Sequence, residues 1–323
     1  MFTPSSPYSP AQAHSQAHAQ SHCLNPHCRA PHNPLGRDRC PDCTADLLLG
    51  GRFRLGIRLH TNPNTHTSLT LVTDEGIEGH PQRLLKVLHC QCPQWKQQFQ
   101  REAQLLQRLS RPISWTVPIG GQALVPRSLP DDWLEFDWDS GIQAPMGYVM
   151  DYLPGRSLAE ELQAHGGSIP WTRLRVWLPQ LIQLVNFLHH HQIVHGDIKP
   201  DNIIVTQVPL SQGPLSQGPL SQDRLQLIDF GAAGNVGDRS FIDQSSAGFC
   251  PKSMVGEPLS YQRDWYALGW TCIQLLTGYH PLDFPRAGGA NALSAEGIAI
   301  DWHHLIPQLN PALEQRMNSW LMV

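Results

Sequence analysis

Apolar and polar residues follow two different periods along this chain. "RFRL" (52–55) and "SLTLVT" (68–73) alternate, and "RLLKVLH" (83–89) is a short apolar run interrupted by Lys86. All three are expected to be strands. A helix is expected next, with Pro93 near its start, and Trp95, Phe99, Glu102 and Leu106 fall on one of its faces. An acid on the apolar face of a helix needs a cationic partner, and Lys86 is the nearest candidate. The alternative is a pair of unrelated surface charges.

"GYVMDYLPG" (147–155) reads as a strand closed by a Pro-Gly turn. A long helical stripe follows from Trp171 to His190, formed by Leu174, Trp177, Leu178, Leu181, Ile182, Val185 and Leu188. Pro179 inside it is expected to bend the helix or cost up to about 3 kcal/mol. The segment "DWYALGWTCIQLLTG" (264–278) repeats the helical pattern and is stopped by Gly278. Residues 110–146 are rich in Pro, Gly and Trp and read as irregular connections. Strands first and long helices afterwards predict an α+β protein in two lobes.

Composition narrows the picture. The 323 residues are 41% hydrophobic, enough for two or three domains with a sizeable core, and only 15% charged. A net charge of −4 gives no electrostatic reason to expect a nucleic-acid or anionic-membrane partner. No apolar run approaches the roughly 18 residues of a membrane span, and the first 22 residues lack the charged and apolar blocks of a secretory signal. The expected location is therefore the cytoplasm. Residues 1–22 are low in complexity and are expected to be a disordered tail.

Cysteine usage is uneven. Cys23, Cys28, Cys40 and Cys43 form a C-x4-C-x11-C-x2-C pattern, whereas Cys90, Cys92, Cys250 and Cys272 read as ordinary thiols. Two short Cys-rich turns complete a tetrahedral four-thiolate site, and a metal worth about 10–16 kcal/mol supplies what so small a unit lacks in core. Residues 23–49 are thus expected to be a zinc-ribbon-like module. Iron and a redox CxxC are the competing readings, and His27 and His32 are spare ligands.

The densest polar cluster is "IVHGDIKPDNIIV" (193–205), where Asp197, Lys199 and Asn202 stand between apolar runs. The next strand ends in "LIDFG", and further on comes Asp264 in "RDWYALG". In "HGDIKPDN" and "DFG" the chain resembles eukaryotic-like serine/threonine protein kinases of bacteria that carry an N-terminal four-cysteine module. The resemblance runs from about Arg52 to the end, with the parts in the family's order. It implies a two-lobed protein kinase-like fold over 52–323, β-rich N-lobe and helical C-lobe, with the last helices of the C-lobe incomplete.

The resemblance also implies roles. Asp197 is the catalytic aspartate that accepts or orients the substrate hydroxyl proton, Lys199 attends the transferring phosphoryl group, and Asn202 and Asp229 hold Mg²⁺ or Mn²⁺. Lys86, held by Glu102, grips the phosphates of ATP. Met150 is the gatekeeper, backbone groups of Asp151 and Leu153 read the adenine edge, and Asp264 holds the catalytic loop. The lysine at 199 points to the serine/threonine subtype and so to protein substrates. The tandem repeat "PLSQGPLSQGPLSQ" (209–222) separates Asp197 from Asp229 by 32 residues. Without its 14 residues the separation is 18, normal for the family, so the repeat is expected in a solvent-facing hairpin.

Three departures stand out. "GIRLHTNPNTHT" replaces the family's glycine-rich loop, which opens an alternative: a pseudokinase that senses nucleotide or scaffolds while the cysteine module recruits partners. Gly196 stands where the family often has Arg, which implies little dependence on activation-loop phosphorylation at Ser240, Ser245 or Ser246. Cys250-Pro251-Lys252 stands for the family's A-P-E, and the chain stops at "WLMV", so that either it is a fragment or the lobe lacks its closing helices and exposes apolar surface. A small-molecule kinase of related fold is a third, more distant reading.

Overall fold

The short cysteine-rich turns, the β-branched alternation and the two helical stripes each fold locally as their pattern dictates. The computed structural model describes residues 20–90, 92–110, 123–136, 146–207, 223–239, 246–283 and 311–322. They belong to two units, 1–112 with 126–154 and 113–125 with 155–323.

In the first unit, β1 (Gln20–His22) and β2 (His32–Pro34) form a two-stranded ribbon. The tail expected over 1–22 lies outside the described residues except for these three strand residues. A six-stranded antiparallel sheet follows in the order β3-β4-β5-β6-β8-β7. Its strands are β3 (Leu48–Leu49), β4 (Phe53–Asn62), β5 (Thr67–Asp74), β6 (Gln82–Leu88), β7 (Trp133–Glu135) and β8 (Met146–Asp151). Helix α1 (Pro93–Leu109) opens on its proline, as the sequence predicts. Strand alternation gives the sheet two faces. Tyr148 of β8 packs on Phe99 of α1 at 5.0 Å, while Leu85 and Val87 of β6 point the other way into a core shared with Leu24 and Leu47. The stretch expected as a separate module therefore lies on the back of the sheet.

The β4–β5 hairpin turns where a glycine-rich loop would stand. Its register shifts twice, between Leu55 and Arg58 and between Arg58 and His60. The Asn62 side chain closes the turn by accepting the backbone N–H groups of Asn64 and Thr65 at 3.0 and 3.3 Å.

In the second unit, β9 (Arg156–Ser157) leads into α2 (Leu158–Ala164) through a reciprocal cap between Ser157 and Glu160. Helix α3 (Trp171–His190) continues across Pro179 for its full 20 residues. Strand β10 (Ile193–Val194) pairs with β13 (Gly234–Asn235), and β11 (Ile203–Gln207) pairs with β12 (Asp223–Leu227) and β9. The repeat 209–222 lies outside the described residues, but the pairing of Gln207 with Asp223 makes it the connection of this hairpin.

Helix α4 (Tyr261–Thr277) ends on Gly278 at φ 80°, the left-handed cap the sequence anticipates. Helix α5 (Pro311–Leu321) lays Trp320 on Trp265 of α4 in a stack at 5.4 Å. The terminal apolar stub is thus largely covered: Met317, Trp320 and Leu321 are buried, and Met322 alone among 315–322 is an exposed large hydrophobic. Of the two alternatives for the stub, open apolar surface is seen only at Met322 among 315–322. The reason is a pairing of two indoles 55 residues apart that no local period reveals.

Candidate active site and thiol cluster

Lys86 comes from the middle of β6 and Glu102 from the third turn of α1. Lys86 Nζ lies 2.6 Å from Glu102 Oε1, with both side chains buried. Such a pair costs desolvation and is weak evidence for stability, so its upkeep inside an apolar layer points to use. At the end of β8, the Asp151 carboxylate accepts Arg127 Nε at 2.7 Å, and its backbone N–H donates to the Arg127 carbonyl at 2.9 Å. Met150 and Leu153 beside it are buried. Arg83 joins Asp151 to a buried acid pair, reaching Asp132 at 2.8 Å and Asp74 at 3.5 Å. Arg52 adds a two-pronged contact to Asp74 at 2.8 and 2.7 Å.

The second unit collects the residues of "HGDIKPDN". Asp197 is buried, and its two oxygens are divided among neighbours. Oδ2 accepts Lys199 Nζ at 2.8 Å and Asn202 Nδ2 at 3.0 Å, while Oδ1 accepts the backbone N–H of Ser246 at 2.9 Å. Burial works against the charge on Lys199, yet the Asp197 carboxylate overrides it and holds the ammonium above its ordinary range. Lys199 also donates to the Ser246 hydroxyl at 2.5 Å. The motifs alone give Ser246 no structural part; its position comes from a contact across 47 residues. Ser240 and Ser245 lie outside the described residues.

Asp264 anchors this loop from below. Its carboxylate is fully buried and accepts the backbone N–H groups of His195 and Gly196, each at 2.9 Å, and faces His189 Nε2 at 3.0 Å. His195 in turn accepts the Asp197 N–H on Nδ1 at 3.3 Å, so its other nitrogen carries the proton and donates to the Ile228 carbonyl at 3.1 Å. Gly196 has φ 78°, and a Cβ built there would stand 2.8 Å from the Ala232 carbonyl oxygen. An arginine does not fit this backbone, which is a physical reason for the departure seen in the sequence.

Asn202 and Asp229 meet through the β11–β12 register. The Ile228 N–H donates to the Asn202 carbonyl at 2.9 Å, which sets Asp229 next to Asn202 at the end of the hairpin. Asp229 is exposed and holds φ 60°, a strained value for a residue with a Cβ. Asn202 Nδ2 donates to Asp197 and the Gly231 N–H to Asp229 Oδ1, and the amide oxygen of Asn202 and the Asp229 carboxylate offer oxygens of the kind a cation needs. Both are hard oxygen ligands, the chemistry Mg²⁺ requires.

Four sulfurs make a second cluster in the first unit. Those of Cys23, Cys28, Cys40 and Cys43 all lie within 4.8 Å of one another, with Cys23–Cys43 at 3.5 Å and Cys28–Cys40 at 3.6 Å. A zinc ion at about 2.3 Å from four sulfurs sets them about 3.8 Å apart, so the donors fit. Burial opposes ionisation of Cys40, but backbone N–H groups of Cys43 and Asp42 aimed at its sulfur bring it down to about 7. Burial pushes the Cys28 thiol up to about 12 and raises Cys23 as well. Neither His27 nor His32 belongs to the cluster; both are exposed.

A β-rich unit with a buried Lys–Glu pair and a helical unit with a braced Asp-Lys-Asn loop define a class, the protein kinase fold. A solved crystal structure of a kinase domain aligns with TM-score 0.53 at 15% identity, covering 72% of this chain and 66% of that one. The family model described as protein kinase domain matches residues 140–310, just over half of the chain, and the chain belongs to that family.

Among relatives, it is 29% identical over 280 residues to serine/threonine-protein kinase B of Synechocystis sp., covering 81% of this chain and 43% of that protein. It is 26% identical over 197 residues to serine/threonine-protein kinase PknB of Mycolicibacterium smegmatis, covering 58% and 27%. With serine/threonine-protein kinase PrkC of Bacillus subtilis the identity is 28% over 180 residues, covering 53% and 26%. The chain spans less than half the length of these relatives. Among the described residues no helix is long and apolar enough to cross a membrane.

Proposed function

We propose that this protein is a serine/threonine protein kinase that moves the γ-phosphoryl group of ATP to protein hydroxyls. The observation that carries the reading is the Asp197–Lys199 pair closed around a serine: Ser246 offers its hydroxyl to Lys199 and its N–H to Asp197. The ammonium rests on the hydroxyl and the carboxylate on the backbone N–H of the same residue, so acid and base stand together beside a serine, as the reaction needs. Phosphoryl transfer has a loose transition state, so positioning and charge neutralisation supply most of the catalysis.

Asp197 orients the incoming hydroxyl and takes its proton as the new P–O bond forms. Lys199 neutralises charge that gathers on the transferring oxygens. Lys86, fixed by Glu102, holds the phosphates, and the Asp151 carbonyl and Leu153 N–H read the adenine edge. Asn202 and Asp229 would hold a Mg²⁺, which would supply charge neutralisation for the phosphates. Asp264 is a positioning residue, since it touches only the backbone and His189.

The same reading extends to the four cysteines as a zinc site in a ribbon-like module able to contact partners. The pseudokinase alternative rested on the degenerate glycine-rich loop and draws no support from relatives named as serine/threonine kinases.

Radiolabel transfer from ATP–Mg²⁺ to the protein itself and to a generic basic substrate tests the assignment, with Asp197→Asn as control. Transfer that disappears in the variant supports the enzyme. Nucleotide binding without any transfer in the parent protein rejects it. Metal analysis of the parent and of Cys40→Ser tests the zinc site separately.

A further inference from the structure

An appended metal module normally keeps its own small core and hangs on a linker. Here the four-cysteine stretch has no core of its own. Cys23, Cys40, Leu24 and Leu47 are buried in one continuous apolar cluster with Phe53, Leu55, Leu85 and Val87 of the six-stranded sheet. The backbone is joined as well: Leu48 and Leu49 pair with Arg54 and Phe53 as the edge strand, and the Leu55 N–H donates to the Leu47 carbonyl at 2.8 Å. Leu85 and Val87 flank Lys86 on β6, so their side chains leave on the face opposite to the one where Lys86 meets Glu102. One face of the strand carries the ammonium and the other rests on the cysteine module.

A second observation points to the charge state of the cluster. Arg58 of β4, the strand against which β1 packs, has a buried Nε with no hydrogen-bond partner. A half-buried guanidinium nitrogen without a partner favours negative charge in its surroundings. Four thiolates around a divalent ion carry a net charge of −2 and supply the missing counter-charge.

We infer that a divalent metal on Cys23, Cys28, Cys40 and Cys43, with Arg58 as its charge partner, is an internal brace of the sheet that carries Lys86, so that metal occupancy governs the order of β5 and β6 and the grip on nucleotide. The inference rests on the zinc reading above and adds the coupling to it. Metal binding to the folded state alone stabilises whatever shares its core. A sheet whose rear layer is a metal-folded module loosens when the ion leaves.

The test uses the full chain with zinc as the probe. Zinc content is measured first; one ion per chain is expected, and a chain that binds none when thiol-reduced overturns both the zinc reading and the brace. The loaded protein is then stripped with a chelator, and backbone hydrogen exchange is followed in 67–74 and 82–88 together with ATP affinity. Exchange about tenfold faster in both strands, ATP binding about tenfold weaker and recovery on adding zinc are expected. Exchange changes confined to 20–49, with ATP affinity unmoved, overturn the brace while leaving the zinc site standing. Arg58→Met is expected to weaken zinc about 10- to 100-fold in competition with a chromophoric chelator; unchanged affinity removes Arg58 from the proposal. Leu47→Ala guards against a stripped protein that aggregates: it keeps all four sulfurs, and it is expected to bind zinc yet exchange faster in 67–74 when loaded. Parent-like exchange in that variant counts against the shared core.

Discussion

Two groups of donors in this protein contrast in both chemistry and construction. The four sulfurs of the first unit come from 21 consecutive residues and converge through two short turns. The oxygens of Asn202 and Asp229 come from the two strands of one hairpin, side by side at the end away from its connection. Soft thiolates close around an ion and fold the chain with it, whereas hard oxygens at a hairpin end stay open, as Asp229 does. The first construction suits a permanent ion and the second a transient one that arrives with its phosphates. Local turns suffice for the first; the second needs a strand register.

The comparison breaks most visibly at Asp197. Asp197→Asn keeps the shape of the loop but removes the proton acceptor of the proposed mechanism, and kcat is expected to fall by about 10²- to 10⁴-fold. Zinc content of that variant should equal the parent's; a loss of zinc would show that the two clusters are not chemically separate. Next comes Asp264→Asn. The amide can accept from only one of the two N–H groups and turns its own N–H₂ toward the other, so about 2–3 kcal/mol of stability should go. Urea unfolding measures it, and an unchanged midpoint would mean the carboxylate does not hold the loop.

A smaller effect is expected from Gly196→Arg, which restores the family's usual residue. The left-handed backbone and the approach to Ala232 should cost about 2 kcal/mol, with no gain in response to phosphorylation. Kinase assays before and after phosphatase treatment, with a melting curve, check both halves.

The smallest effect concerns acid stability of the first unit. Burial pushes the Asp74 carboxyl up, but the Arg52 guanidinium, the Gly76 N–H and the charge of Arg83 together hold it below its ordinary value of 3.8. Its contribution is therefore present above that pH and is lost as the pH falls through the lower folded value. Asp74→Asn should flatten the acid limb of the stability profile in urea titrations between neutral pH and pH 2; an unaltered limb would show that other carboxylates control it.

Much of this site was legible beforehand because its parts are short-range. The strand around Lys86, the proline at the start of α1, the span of α3 and the cap at Gly278 all follow from local period and backbone preference. The thiol cluster was visible for the same reason. The role of Ser246 was not, because its partners lie 47 and 49 residues away and serine carries no periodic signal. The place of His189 was not legible either, since it faces Asp264 across 75 residues.

By itself, then, the sequence determined which residues could do the chemistry: a turn, a strand or a helix face is fixed by interactions among neighbours along the chain. The tertiary structure alone decided what backs them. It put the cysteine module behind Lys86, set Trp320 on Trp265 and left no room for a side chain at 196. Those arrangements arise from shared burial between distant segments, and burial depends on the whole packed surface, which no local period records.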